Sequence, residues 1–201
     1  MKKILSYVVY WLLQCTWGIV MTFIGAVVAL ILLISGHKPK TLGPAVYFEI
    51  SAGWGGLSLG GFFFCGQDSL MSTKYHECGH GIQNIIWGPL MPLAVIIPSA
   101  ARYWLYNFKT PLTRAAYVAC LMIAAVLLTT AGACIFAVIG GFKLIVILFE
   151  LIRLYFLSLV IWLNVFQLPQ FYNGNRPDYD EVWFEKQASD WGKKMYEKKE
   201  D

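Results

Sequence analysis

Two histidines and a glutamate lie within five residues, in the segment His76-Glu77-Cys78-Gly79-His80. A helix places both imidazoles on one face, because residues four apart lie one turn from each other. Two imidazoles in this arrangement can bind one zinc ion. The Glu77 carboxylate can then take a proton from a water that the ion binds. The spacing therefore predicts a Zn2+ site, and the alternative is a set of polar residues on a helix surface.

A zinc site needs at least one more protein ligand, which must come from elsewhere in the chain. We favour Glu185, which lies on a predicted helix in the polar C-terminal region. Ala188 lies on the same face of that helix, where its small side chain would let two helices pack closely. The other acidic candidates are Glu49, Asp68, Glu150, Asp178, Asp180, Glu181 and Asp190.

The run His76-Glu77-Cys78-Gly79-His80-Gly81-Ile82-Gln83, with the later Glu185-x-x-Ala188 and Gly192, resembles the gluzincin metallopeptidases. It also resembles small uncharacterised bacterial membrane proteins that carry HEYGH-type motifs. The resemblance implies that His76, His80 and Glu185 bind zinc and that Glu77 is the general base. Gluzincins usually have an aspartate where this chain has Ser189, and that aspartate supports a histidine ligand. Ser189 or Asp190 is therefore the expected supporting residue.

The composition is that of a membrane protein. Hydrophobic residues make up 58% of the chain and charged residues 14%, whereas soluble domains average about 25% charged. The net charge of +4 comes from short basic clusters beside apolar runs, which argues against nucleic acid as a partner. We predict an α-helical integral membrane protein that forms one domain over residues 1–201, with the lipid bilayer as a partner.

Three apolar runs predict transmembrane helices, at residues 7–35, 115–139 and 144–166. Residues 89–106 are also apolar but contain three prolines, which predicts a broken or re-entrant membrane segment. Within the last run, Glu150 and Arg153 are three residues apart. We expect them to form an ion pair inside the membrane, because a lone charge is costly there.

The remaining segments are less hydrophobic. Residues 45–66 are rich in glycine and predict a β-hairpin, similar to the strand pair that precedes the active-site helix of zincins and holds substrate in extended form. Residues 71–87 predict the helix that carries the histidines. Residues 170–201 form a polar tail with a predicted helix near the membrane surface.

The membrane topology tests the Glu185 assignment. Glu185 can meet the histidines only if residues 89–106 enter the membrane and return on the same side. The distribution of lysine and arginine then puts the site on the cytoplasmic face of a bacterial inner membrane. The two N-terminal lysines argue against this orientation.

These observations predict a zinc-dependent metalloendopeptidase that hydrolyses a peptide or a membrane-protein substrate. The alternative is a non-enzymatic membrane protein whose structural or vestigial metal site accompanies the binding of a partner. A metal transporter is less favoured, since the spans carry few polar positions. Candidates for stabilising the oxyanion are Tyr75, Tyr172 and Arg102. The sequence predicts neither the oligomeric state nor the cleavage site.

Overall fold

The computed structural model describes residues 2–138, 143–172 and 178–196. The fold is mostly helical and has one small sheet, which agrees with the predicted class. The chain folds into two compact units, whereas the sequence predicts one domain. The first unit comprises residues 1–97 and 179–201, and the second comprises residues 98–178. The division arises because the polar C-terminal region joins the N-terminal part of the chain.

The described α-helices are α1 Lys2–Cys15, α2 Ile19–Ile34, α3 Met71–Trp87, α4 Ile97–Asn107, α5 Pro111–Val138, α6 Lys143–Trp162 and α7 Trp183–Tyr196. Short 3₁₀ or π turns follow α3 and α6, and a 3₁₀ turn precedes α7. The strands are β1 Pro39–Leu42, β2 Ala45–Glu49, β3 Gly56–Leu59 and β4 Phe62–Cys65.

Residues 7–35 do not form the single helix that their apolar run predicts. They form parts of α1 and α2, which meet at an angle of 97°. A cluster of buried polar groups explains the bend. Asn84 donates from Nδ2 to Gln14 Oε1 over 2.6 Å and to the Gly18 carbonyl over 3.0 Å. A Cβ at Gly18 would overlap Asn84 Nδ2, so this glycine lets α3 approach the bend.

The predicted hairpin at residues 45–66 is part of a larger, four-stranded sheet. Its strand order is β1-β2-β4-β3, with β2 parallel to β4 and the other two pairs antiparallel. Two hairpins build this sheet, one turning at Gly43-Pro44 and the other at Gly60-Gly61. Strand β3 lies at one edge, and α3 packs against it.

The predicted helix at residues 71–87 coincides with α3, which lies against the sheet. Tyr75 and Cys78 of α3 are buried together with Ala45, Phe63 and Cys65 of the sheet. This apolar contact stabilises one face of α3 through the hydrophobic effect. The opposite face, which carries the histidines, is left to contact α7.

Within the described residues, two helices are long and apolar enough to cross a membrane, and both belong to the second unit. They extend over Pro111–Ile135 and Leu144–Phe171, close to the predicted spans at 115–139 and 144–166. Position 139 lies outside the described residues. Two bent pairs of helices also pass the same test, so up to four spans are compatible with length and composition. One pair is α1 with α2, and the other joins α3 to α4.

The predicted broken segment at residues 89–106 has irregular local structure at its prolines. A 3₁₀ turn at Gly88–Leu90 and a π turn at Pro92–Ile96 separate α3 from α4. Proline removes a backbone donor and clashes with the preceding turn, which accounts for the break.

In the second unit, Arg153 Nε donates to Glu150 Oε2 over 2.8 Å, so these two side chains form an ion pair.

Candidate metal centre

Helix α7 brings Glu185 directly beside the two histidines of α3. Glu185 Oε2 lies 3.1 Å from His76 Nε2 and 3.3 Å from His80 Nε2, and the two Nε2 atoms are 3.1 Å apart. The Glu185 side chain is buried. The structure thus brings together the three residues that the sequence analysis nominates as metal ligands, and these three could hold a metal ion.

Small residues allow α3 and α7 to approach this closely. A Cβ at Gly79 would overlap the carbonyl oxygen of Ala188, and a Cβ at Gly192 would overlap that of Tyr75. Ala188 itself is fully buried between the helices. Contact at the level of the backbone is what allows the short Glu185 side chain to reach both imidazoles. The tail helix is therefore an integral part of the first unit rather than a separate surface element.

The His80 ring is oriented by Gln83, one turn further along α3. His80 Nδ1 lies 2.7 Å from Gln83 Oε1. The Gln83 amide donates from Nε2 to the Phe184 carbonyl over 2.7 Å and to Gln187 Oε1 over 3.0 Å, so its Oε1 is the acceptor that faces the ring. His80 Nδ1 therefore carries a proton, and Nε2, the atom with the lone pair in the neutral ring, lies towards Glu185.

The His76 ring is oriented from α7. His76 Nδ1 lies 2.8 Å from Ser189 Oγ, and the Ser189 hydroxyl donates to Asp180 Oδ2 over 2.7 Å. Of the two residues expected to support a ligand, Ser189 contacts His76, whereas Asp190 is exposed on α7. The carboxylate beside Ser189 comes from Asp180, in the 3₁₀ turn before α7. The sequence analysis considered Asp180 only as a ligand.

Three electron-pair donors therefore converge on one point. Both Nδ1 atoms are hydrogen-bond donors directed away from the centre, so the neutral rings would present two Nε2 lone pairs beside one carboxylate oxygen. A tetrahedral zinc ion with bonds of about 2.0–2.1 Å separates its ligand atoms by about 3.3 Å. The observed separations of 3.1–3.3 Å are close to this value. The geometry and the donor set are both compatible with a metal ion such as zinc.

A proton and a metal ion compete for this point. Burial disfavours the charged form of His80, but Glu185, Glu77 and Gln83 outweigh burial and raise the pKa of His80 to about 9. In the absence of metal, a proton on Nε2 thus takes the role of the cation between His80 and Glu185. Metal binding must displace that proton, which makes metal affinity fall as the pH is lowered.

Glu77 projects from α3 towards the first residue of the edge strand. Its side chain is buried, and a Cβ at Gly56 would overlap its Oε1 atom. Burial raises the pKa of Glu77, while His76 and His80 oppose this shift. A carboxylate whose pKa lies closer to neutrality is a stronger proton acceptor. Glu77 is therefore suited to act as a base beside the metal ligands.

Several other nominated residues are engaged away from the histidines. Glu49 forms ion pairs with Lys40 and Lys74, and both lysines lower the pKa of the Glu49 carboxyl. Asp68 accepts the Gly53 backbone N–H, and Glu150 pairs with Arg153. Among the candidates for stabilising an oxyanion, Tyr75 is buried against the sheet, while Arg102 and Tyr172 belong to the second unit.

Gln83 and Gly56 have roles that the sequence analysis missed. The spacing of Gln83, three residues after His80, gives a partial signal, because residues three apart lie on neighbouring positions of a helix. Gly56 gives no such signal, since its proximity to Glu77 depends on the packing of β3 against α3.

Comparison with known proteins gives no match to a protein-family model, to a curated protein or to a solved structure. A function must therefore be inferred from the chemistry of the site. The relevant features are the His76, His80 and Glu185 donor atoms, the adjacent base and the apolar helices of the same chain.

Proposed function

We propose that this protein is a membrane-embedded, zinc-dependent metalloendopeptidase. The observation that supports the proposal best is the convergence of His76 Nε2, His80 Nε2 and Glu185 Oε2, with the Glu77 carboxylate on the same helix. Three protein ligands leave one position of a tetrahedral zinc site for water, which is the arrangement of catalytic rather than structural zinc.

Each residue of the site has a defined part in peptide hydrolysis. His76, His80 and Glu185 would hold the ion, and bound zinc lowers the pKa of its water and polarises the substrate carbonyl. Glu77 accepts a proton as the water oxygen bonds to the carbonyl carbon. It then returns that proton to the amide nitrogen as the C–N bond breaks, so one water is consumed and two chain ends form.

The edge strand offers a place for the substrate. Strand β3 pairs with β4 on one side only, and Gly56 and Leu57 at its start are exposed, so an extended peptide could bind beside these two residues. Gly56, at the start of β3, is next to the Glu77 carboxylate. An extended peptide or an unfolded segment of a membrane protein, bound at the start of β3, would pass close to the base.

The apolar helices of the second unit support the proposal that this chemistry takes place at a membrane. Two spans leave and return to the same side, which is consistent with α3 and α7 sharing one compact unit. The residues between α3 and α4 would then enter the membrane without crossing it. The basic residues favour a bacterial inner membrane with the site on the cytoplasmic face.

A non-enzymatic protein with a structural or vestigial metal site is the second candidate. Its support is the low exposure of the donors, since the side chains of His76, His80 and Glu185 are 15%, 10% and 1% exposed. A buried site suits a stabilising ion as well as a catalytic one. A structural site would share the metal with the proposed enzyme and differ from it in turnover, whereas a vestigial site would lack the metal.

Metal analysis of the purified protein separates these proposals. We expect one zinc per chain, and hydrolysis of an unfolded protein such as casein that stops with 1,10-phenanthroline and returns with added zinc. His76→Ala should lose the zinc, because a ligand is missing, while His37→Ala serves as the control since it is the histidine outside the site. Stoichiometric zinc with no hydrolysis favours a structural site. A protein without stoichiometric zinc contradicts the metallopeptidase and favours a non-enzymatic protein with a vestigial site.

Substituting Gly56 by alanine should slow hydrolysis by about 100-fold without releasing zinc. The new Cβ overlaps Glu77 Oε1, so the base must move, and misplacing a catalytic group by about 1 Å has an effect of this size. Gly55→Ala is the matched control, because a Cβ there meets nothing within 4 Å. Steady-state kinetics and zinc content measure both effects. Equal turnover in the two variants would argue against Glu77 as the base.

A further inference from the structure

The His76 ring is linked to a carboxylate through a serine hydroxyl. His76 Nδ1 lies 2.8 Å from Ser189 Oγ, and Ser189 Oγ lies 2.7 Å from Asp180 Oδ2. We propose that Ser189 and Asp180 are positioning residues for His76, with Asp180 acting through Ser189. This inference rests on the metal-binding part of the proposed function and is independent of turnover.

The chemistry of the three groups fixes the direction of both hydrogen bonds. An ionised carboxylate can only accept, so the single hydroxyl proton of Ser189 points to Asp180. The Ser189 oxygen therefore turns a lone pair towards His76, whose Nδ1 must carry the proton. His76 Nε2 is left with its lone pair on the side of His80 and Glu185. These two hydrogen bonds, from His76 to Ser189 and from Ser189 to Asp180, are called the relay below. The relay selects the His76 tautomer that can bind a metal.

Both positioning residues lie close to a ligand in the chain. Ser189 follows Glu185 by four residues, so the two are one turn apart on α7. Asp180 lies in the 3₁₀ turn Tyr179–Glu181, immediately before that helix. Helix α7 therefore supplies one ligand and orients a second that belongs to α3. A single placement of α7 sets both.

The relay replaces a direct contact. In the gluzincin pattern that this chain resembles, an aspartate occupies the position of Ser189 and supports a histidine ligand itself. The side chain of Ser189 carries a hydroxyl and no carboxylate. Asp180 provides the carboxylate, on the far side of that hydroxyl. The function of one residue is thus divided between two positions.

A purely structural role would give a different result. If the contact between Ser189 and Asp180 only stabilised the start of α7, its loss would lower thermal stability and leave the His76 tautomer unchanged. A positioning role predicts weaker zinc binding and a changed tautomer. Asp180 is exposed to solvent, so its loss should disturb the fold little.

The test uses the full-length chain in detergent micelles, with zinc affinity measured by competition against a chromophoric chelator. Ser189→Ala and Asp180→Ala should each bind zinc 10- to 100-fold more weakly, the range typical for residues that orient metal ligands. Asp190→Ala, the exposed neighbour of Ser189, is the matched control and should bind as the wild type does. The 15N spectrum of the imidazoles should show a protonated Nδ1 at His76 in the wild type but not in Ser189→Ala.

A compensating pair of substitutions tests the relay more sharply. Ser189→Asp alone should weaken zinc binding, because it places two carboxylates beside each other. The same change combined with Asp180→Ala should restore the affinity to within about tenfold of the wild type, since one carboxylate then meets His76 directly. Losses that simply add in the double variant would overturn the relay.

The outcomes separate this inference from the proposed function. Wild-type zinc affinity in Ser189→Ala and Asp180→Ala would overturn the relay and leave the metallopeptidase standing. If the wild type binds no zinc, the proposed function fails, and the His76 tautomer still decides the relay. A protonated Nδ1 lost in Ser189→Ala supports it, and an unchanged tautomer refutes it.

Discussion

Glu77→Gln is expected to reduce hydrolysis by about 10²- to 10⁴-fold and to leave one zinc bound per chain. The amide has nearly the shape of the carboxylate but cannot accept the proton of the attacking water. The three metal donors stay in place, because Glu77 supplies none of them. Burial raises the pKa of the Glu77 carboxyl, which makes the carboxylate a better proton acceptor, and glutamine has no such group.

The measurement is single-turnover hydrolysis of a fluorogenic peptide, run with zinc content determined on the same sample. Glu181→Gln is the control, since Glu181 is exposed in the turn before α7. Turnover that stays at the wild-type rate in Glu77→Gln would exclude the proposed mechanism. Loss of zinc together with activity would show that Glu77 is a ligand rather than a base.

Gly79→Ala is expected to have the second large effect, on zinc binding and stability together. Its Cβ overlaps the Ala188 carbonyl, and backbone cannot move aside as a flexible side chain can. Overpacking of this kind costs about 1–3 kcal/mol or more. Helix α7 must shift, which moves Glu185 away from both imidazoles. Zinc affinity should therefore fall at least 100-fold, a change of about 2.7 kcal/mol in binding free energy.

Thermal unfolding and chelator competition measure this prediction. Lys193→Ala is the control, because Lys193 is exposed on α7 beside the Gly192 contact and changes no packing. Gly192→Ala should behave as Gly79→Ala does, since its Cβ overlaps the Tyr75 carbonyl. Wild-type affinity in both glycine variants would mean that α7 does not supply the third ligand.

Local patterns in the sequence are enough to predict α3 and to nominate Glu185 as the third metal-binding residue. The histidine spacing predicts the shared helix face, and Ala188 beside Glu185 predicts close packing of two helices. Gly79 completes that contact from the other side. These features are local patterns within single helices, which is why they can be recognised without the structure.

Contacts between distant segments explain the rest. The bend between α1 and α2 depends on Asn84, whose amide meets Gln14 and the Gly18 carbonyl only in the folded chain. The pairing of β2 with β4 is likewise invisible in a run of residues that suggests one hairpin. Asp180 reaches Ser189 only because a 3₁₀ turn precedes α7. The local sequence pattern does not indicate which distant segment each of these residues contacts.

The order of the ligands along the chain has a consequence for biosynthesis. His76 and His80 leave the ribosome well before Glu185, and both long apolar helices are made in between. A nascent chain therefore holds two donors and a candidate base but no complete centre until α7 has docked on α3. Under the proposed function, a chain that stalls or inserts incorrectly is unable to cleave its neighbours. The proposed function would thus couple proteolytic competence to the completion of membrane assembly.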